Sequence, residues 1–223
     1  MKSINDYISE KLVINKNTKL PKYFPQTKEE LQDIIKQRIE KEGNKCNLND
    51  INVSEITDMS QLFWYFHTFN GDISQWDVSN VKNMSHMFYQ SYFNGDISEW
   101  DVSGVEDMSS MFEKSEFNQD ISKWNISKVK DMWGMFKDSK FNQNISNWNI
   151  SKVEDMGSMF NNSVFNQDIS NWKTHNVKSM NQMFYQSKFN QDISKWDINN
   201  VEDMRWIFSG CPLEGKEKEW WNR

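Results

Sequence analysis

Alanine is absent from the 223-residue chain, and leucine occurs only six times. A conventional helical bundle is disfavoured, because the strongest helix formers are missing or scarce. Arginine is almost as rare: Arg38, Arg205 and Arg223 are the only three among 26 basic residues. Bidentate arginine dominates base reading, and the net charge is −6, so sequence-specific nucleic-acid recognition is not expected. The two cysteines, Cys46 and Cys211, lie near opposite ends, which excludes a disulfide framework and a four-cysteine zinc site. No stretch approaches the roughly 20 apolar residues of a membrane helix. Met1 to Asp6 lead into no apolar segment, so no export signal is expected. The expected location is cytoplasmic, or surface and secreted if a leader has been removed. What the chain has in quantity is Met (13), Phe (15) and Trp (11). These residues can bury a core despite a mean hydropathy of −0.85, which argues against disorder.

The large apolar residues recur at a fixed period. Trp76, Trp100, Trp124, Trp148, Trp172, Trp196 and Trp220 are 24 residues apart, and Met84 to Met204 keep the same step. So do the Phe-Asn pairs from Phe93-Asn94 to Phe189-Asn190. An earlier unit carries Leu48, Ile51, Val53, Ile56, Met59, Leu62 and Phe63 in the matching places, with one extra residue within Trp64 to Thr68. Units therefore begin at Leu48, Ile73, Ile97, Ile121, Ile145, Ile169 and Ile193. Leu213 and Trp220 continue the register as a partial eighth strand. A single unit cannot bury its apolar face, but stacked units can, with equivalent residues in columns about 4.8 Å apart. Within a unit, Trp124-Asn125-Ile126 alternates like a short strand, and Met132, Met135 and Phe136 step like a helical turn. Asp or Asn before that turn (Asn83, Asp107, Asp131, Asp155, Asp203) reads as a helix cap.

The pattern I-x-x-W-x-V/I-x-x-V-x-x-M-x-x-M-F…F-N resembles the BspA-type leucine-rich repeat of many bacterial surface proteins. The corner residues Ser91, Ser115, Ser139, Ser163, Ser187 and Cys211 resemble that family's as well, and the likeness spans about residues 48–213. The resemblance implies an α/β fold: a right-handed leucine-rich-repeat-like solenoid of seven 24–25-residue coils with a parallel sheet. It also implies binding rather than catalysis.

The ends read as caps. Residues 1–47 hold an unpatterned segment, then a helix opening on the capping box Thr27-Lys28-Glu29-Glu30. Leu31, Ile34, Ile35 and Ile39 form its apolar stripe, and Gly43 supplies a left-handed stop. Residues 48–213 are the repeats and 214–223 a C-terminal cap.

Other columns carry chemistry. Lys82, Glu106, Lys130, Glu154, Lys178 and Glu202 alternate in sign, so an in-register stack would set opposite charges side by side. The Asn column (Asn70 to Asn190) reads as an internal amide ladder. The Asp72, Asp96, Asp120, Asn144, Asp168, Asp192 column reads as backbone capping rather than calcium binding, since Asn144 interrupts it and each unit adds one carboxylate there. His67, His86 and His175 occupy different columns, and no catalytic motif rises above the repeat.

Function is expected where the repeat breaks. Asp77, Glu99 and Asp101 make the early strand-side positions acidic, whereas Lys173 and His175, flanking an odd Thr174, make the sixth unit basic. Trp64, Tyr65, Trp133 and Trp206 are large aromatics at places other units fill with small or polar residues. The expectation is a non-enzymatic, monomeric protein-binding module that takes no cofactor or metal and engages no membrane. An intracellular phage or mobile-element inhibitor of a host enzyme or nucleoprotein complex is one form of it, and a bacterial surface adhesin another.

Overall fold

The structure is a computed structural model and describes residues 21–221. The N-terminal stretch in which no export signal is expected lies outside that range, as does Arg223. Two helices occur among the described residues, α1 (Lys28–Glu42) and α2 (Lys216–Trp221). Between them the chain is built from turns and single-residue parallel bridges.

The unit 121–144 shows how its residues dictate this architecture. Trp124 N–H bonds Ile121 O at 3.1 Å, and Val129 N–H bonds Ile126 O at 2.9 Å, closing two tight turns. Lys130 and Asp131 then donate back to Glu106 O of the preceding unit. Met132, Gly134, Phe136 and Asp138 donate forward to Asp155, Gly157, Met159 and Asn161 O at 2.8–2.9 Å. The intervening amides of Met135, Lys137 and Ser139 close overlapping turns onto Met132, Gly134 and Phe136 O. Trp133 N–H goes to Asp131 Oδ1 and Phe141 N–H to Ser139 Oγ. Lys140 returns to Ser115 O, and Asn142 N–H to Asn118 Oδ1. Every amide from Lys130 to Asn142 thus has a partner, which burial of the adjoining side chains requires.

Two expectations are corrected. The Met-x-x-Met-Phe segment is not a helical turn but a run of overlapping β-turns. Its first and third turns need a left-handed residue at the third position, met by Gly134 (φ 62°) and Asp138 (φ 56°). The same two places are left-handed at Ser110 and Lys114, Ser158 and Asn162, and Gln182 and Gln186. A helix cannot absorb that alternation. The alternation is what frees every second amide to reach the next unit. The strand is also displaced from Trp124–Ile126. Parallel bridges run Asp58, Asn83, Asp107, Asp131, Asp155, Ser179, Asp203, while Trp124 to Ile126 lie between two turns.

The corners are set by side chains that accept the amide two residues on. Asp120, Asn125, Asp131 and Ser139 take Ser122, Ser127, Trp133 and Phe141 N–H at 2.8–3.3 Å. Equivalent bonds recur in the other units, and Cys211 Sγ takes Leu213 N–H at 3.4 Å where the others use serine. Asp131 and its column mates are therefore Asx-turn acceptors, not helix caps. The Asn ladder passes from each Oδ1 to the next unit's backbone N–H, at 2.8–3.0 Å. It runs along the surface rather than inside, with Asn94 and Asn190 exposed.

The Ile, Trp, Val, Met and Phe columns form one continuous core. Each buried indole needs a partner for its N–H, and the preceding unit supplies it. Trp124 Nε1 donates to Ile97 O at 3.1 Å, and the bond repeats from Trp76 to Trp196 at 3.0–3.2 Å. Two phenylalanine columns run side by side: Phe136 and Phe141 stack at 4.0 Å within a unit, and Phe136 and Phe160 at 5.8 Å between units. Thr174, the misfit of the sixth unit, is fully buried, and its Oγ1 donates to Asp197 O at 2.9 Å.

Helix α1 begins with Thr27 Oγ1 accepting Glu30 N–H, while Glu30 reaches back to Gln26 N–H rather than to Thr27. Leu31 and Ile35 are buried in the core and Ile34 and Ile39 pack on its edge, so the helix covers the first unit. Gly43 ends it at φ 84°, ψ 172°, a conformation open only to glycine, not the left-handed helical one expected. Arg38 is buried beneath this cap. It bonds Glu42, Asp50 Oδ1 at 2.6 Å and Asn47 O at 2.8 Å. At the other end the expected eighth strand is replaced by α2, whose Trp220 and Trp221 rings pack on Phe208 at 6.0 and 5.7 Å.

Candidate interaction surface

With core and corners assigned, the side chains left over are the candidates for contact with another molecule. The strand-side candidates are exposed but largely engaged locally. Asp77 and Asp101 accept the amides of Ser79 and Ser103 at 3.1 and 3.0 Å. The serine hydroxyl and amide hold the Asp101 carboxyl below the usual range. Glu99 pairs with Lys123 at 3.1 Å, both well exposed, so part of the early acidity is answered within the face. Lys173 and His175 are exposed at the sixth unit, far along the stack from Asp77 and Asp101. In the alternating column, Lys130 pairs with Glu106 at 2.7 Å and Lys178 with Glu154 at 2.5 Å.

The aromatic candidates gather in two places. In the first two units the Trp64 ring stacks on Tyr89 at 4.4 Å and 8°, with His86 5.8 Å from Trp64. Lys114 Nζ sits 5.7 Å over the Tyr89 ring. The Tyr92 amide bonds His67 O at 2.8 Å, which brings Tyr92 beside the segment that carries Trp64 and Tyr65. Tyr65 is 82% exposed and Tyr92 60%.

In the later units Trp133 and Trp206 line one shallow groove with Ser158, Asn181, Gln182 and Arg205. Trp133 is half-buried, and Trp206 is 61% exposed. Lys137 lies 5.7 Å over the Trp133 ring and is itself held by buried Glu113 at 3.2 Å, which also accepts Ser110 Oγ at 2.8 Å. Sequence reasoning paired neither tryptophan with the other and passed over Gly157, Asn181 and Gln182. The signal was present: the position after the first Met reads Ser85, Ser109, Trp133, Gly157, Asn181, Arg205, with glycine directly after the bulky residue.

Cys46 and Cys211 are free and buried, and burial raises both thiols above their ordinary value. Among the described residues no group of three or more His, Cys, Asp or Glu side chains could hold a metal ion. No helix among them is long and apolar enough to cross a membrane.

These features define a protein of stacked sequence repeats whose irregular side chains form its exposed chemistry. The chain belongs to the family described as "Mycoplasma protein of unknown function, DUF285", whose model matches residues 29–140 and again 113–221. No curated protein and no solved structure matches the chain.

Proposed function

We propose that the chain is a non-enzymatic protein-interaction module, a right-handed solenoid of the BspA leucine-rich-repeat type that presents an aromatic patch on a rigid support. The observation that carries this reading is that Tyr65 and Tyr92 are 82% and 60% exposed, on the segments that carry the Trp64–Tyr89 stack. Large aromatics held outside a core that already contains a full set of aromatics are the residues that anchor protein partners. The support is stiff because each unit is tied to the next by backbone bonds, an indole and two phenylalanine stacks. Little conformational entropy then remains to be lost on association. Lys114 beside Tyr89 adds a cation to the patch, which favours a partner surface with acidic groups.

The test is quantitative capture of the partner by the wild-type chain and by the Tyr65→Ser/Tyr92→Ser variant. Loss of two such anchors should weaken binding by about 30-fold or more, with melting unchanged. Equal affinity would remove this patch from the interface.

A further inference from the structure

The groove between Trp133 and Trp206 has features that packing does not require. Its backbone at residue 206 is left-handed, φ 56°, as it is in every other unit, at Gln61, His86, Ser110, Gly134, Ser158 and Gln182. Left-handed backbone costs a residue with a side chain roughly 1–2 kcal/mol. Trp206 bears that cost while 61% exposed, so core burial does not compensate for it. The left-handed backbone belongs to the turn and recurs there in every unit; what is particular to this unit is a tryptophan left exposed on it.

The rest of the groove is fitted around the two indoles. A Cβ at Gly157 would lie 2.4 Å from Asn181 Oδ1 and 2.9 Å from Trp133 Cδ1. Glycine there lets the Trp133 ring and the Asn181 amide share the space above it. The open groove offers about 140 Å³, the scale of one sugar ring rather than a cofactor. Besides Arg205, its polar lining is the amides of Asn181, whose Nδ2 donates to Asp203 Oδ2 at 3.2 Å, and Gln182, whose Oε1 accepts from Asn161 at 3.4 Å, with the buried Ser158 behind them. The cations nearby are already compensated. Arg205 clamps Asp203 through Nε and Nη2 at 2.9 and 2.7 Å, and Lys137 sits on Glu113 at 3.2 Å. An anionic ligand would find no free charge to answer it. Lys137 and Arg205 lie over one face of Trp133 and of Trp206, at 5.7 and 6.0 Å, so a neutral polyhydroxylated ring would meet the remaining indole surface with its C–H groups and the amides with its hydroxyls.

We propose that this groove binds one ring of a neutral saccharide, in contact with both Trp206 and Trp133 and hydrogen-bonded by Asn181 and Gln182. The site is separate from the tyrosine patch, so either can fail alone.

Saturation-transfer NMR on the full chain with trisaccharides of glucose (α- and β-linked), galactose and N-acetylglucosamine tests this. At least one sugar should show transfer. Trp206→Asn, which suits left-handed backbone, and Trp133→Ser, the residue at Ser109, should each weaken it about tenfold with melting retained. Gly157→Ser should abolish it by displacing Trp133 and Asn181. The Tyr65→Ser/Tyr92→Ser chain should bind as the wild type does. No transfer from any sugar, transfer that survives loss of both tryptophans, or transfer only from a proline-rich peptide would overturn the assignment.

Discussion

Trp124 illustrates what a single residue does in this molecule. Its ring fills the core, and its Nε1 crosses to Ile97 O of the preceding unit. Leucine can do the first but not the second, which explains why tryptophan holds the column. Trp124→Phe keeps an aromatic ring but removes one of the two donors to Ile97 O, which still accepts Trp100 N–H at 3.2 Å, and should cost about 0.5–1.5 kcal/mol in chemical denaturation. Phe136→Ala removes a ring stacked on Phe112, Phe141 and Phe160, and should cost about 3–5 kcal/mol. Asp131 behaves differently. Burial first, then Asp107 and Asp155 nearby, push its carboxyl above the ordinary 3.8. The folded state therefore holds that proton more readily than the unfolded chain. Stability falls as pH rises from the ordinary aspartate value through the raised one. Asp131→Asn keeps the acceptor for Trp133 N–H, as Asn83 does for Ser85. Melting should rise at neutral pH, and the gain should disappear below the ordinary aspartate range. A lower melting temperature at neutral pH would show that the Asp131 charge has a favourable partner.

The overlapping turns are the element on which stacking depends, because their left-handed residues turn alternate amides toward the next unit. Gln90 is one of these, exposed and at φ 54°. Gln90→Gly should stabilise by about 0.5–1 kcal/mol, and Gln90→Val should destabilise by more than 1 kcal/mol. Equal melting of the two variants would contradict the turn assignment. This element was not legible in the sequence. Met132, Met135 and Phe136 have helical spacing because overlapping turns also place every third or fourth residue inward. Only the left-handed positions separate the two conformations, and Ser110, Lys114 and Asp138 do not announce a positive φ as glycine would. The strand at Trp124–Ile126 was misplaced for a related reason: alternation reports which side chains face inward, not which amides pair. Helix α1 was legible because Thr27, Glu30 and its apolar stripe each state local chemistry. Arg38 was not, since its role depends on Asp50 and Asn47 being folded beneath the helix.

Across the whole molecule, the columns build the stack and the departures from them form the exposed chemistry. The period, the inward columns and the charge pairing follow from the sequence alone, because each requires only that like positions become neighbours. The groove does not follow in that way, because Trp133 and Trp206 belong to different columns three units apart, and only the fold places both on one groove. The central claim is that the departures carry binding and contribute little to folding. It is tested most directly by giving the aromatic departures the residues, or the residue class, that other units carry: Tyr65→Gln, Tyr92→Lys, Trp133→Ser and Trp206→Asn in one chain. The measurement is the partner affinity of that chain under conditions where it melts like the wild type. A folded chain whose affinity has fallen by at least about 30-fold is expected. Undiminished affinity in the folded variant would contradict it.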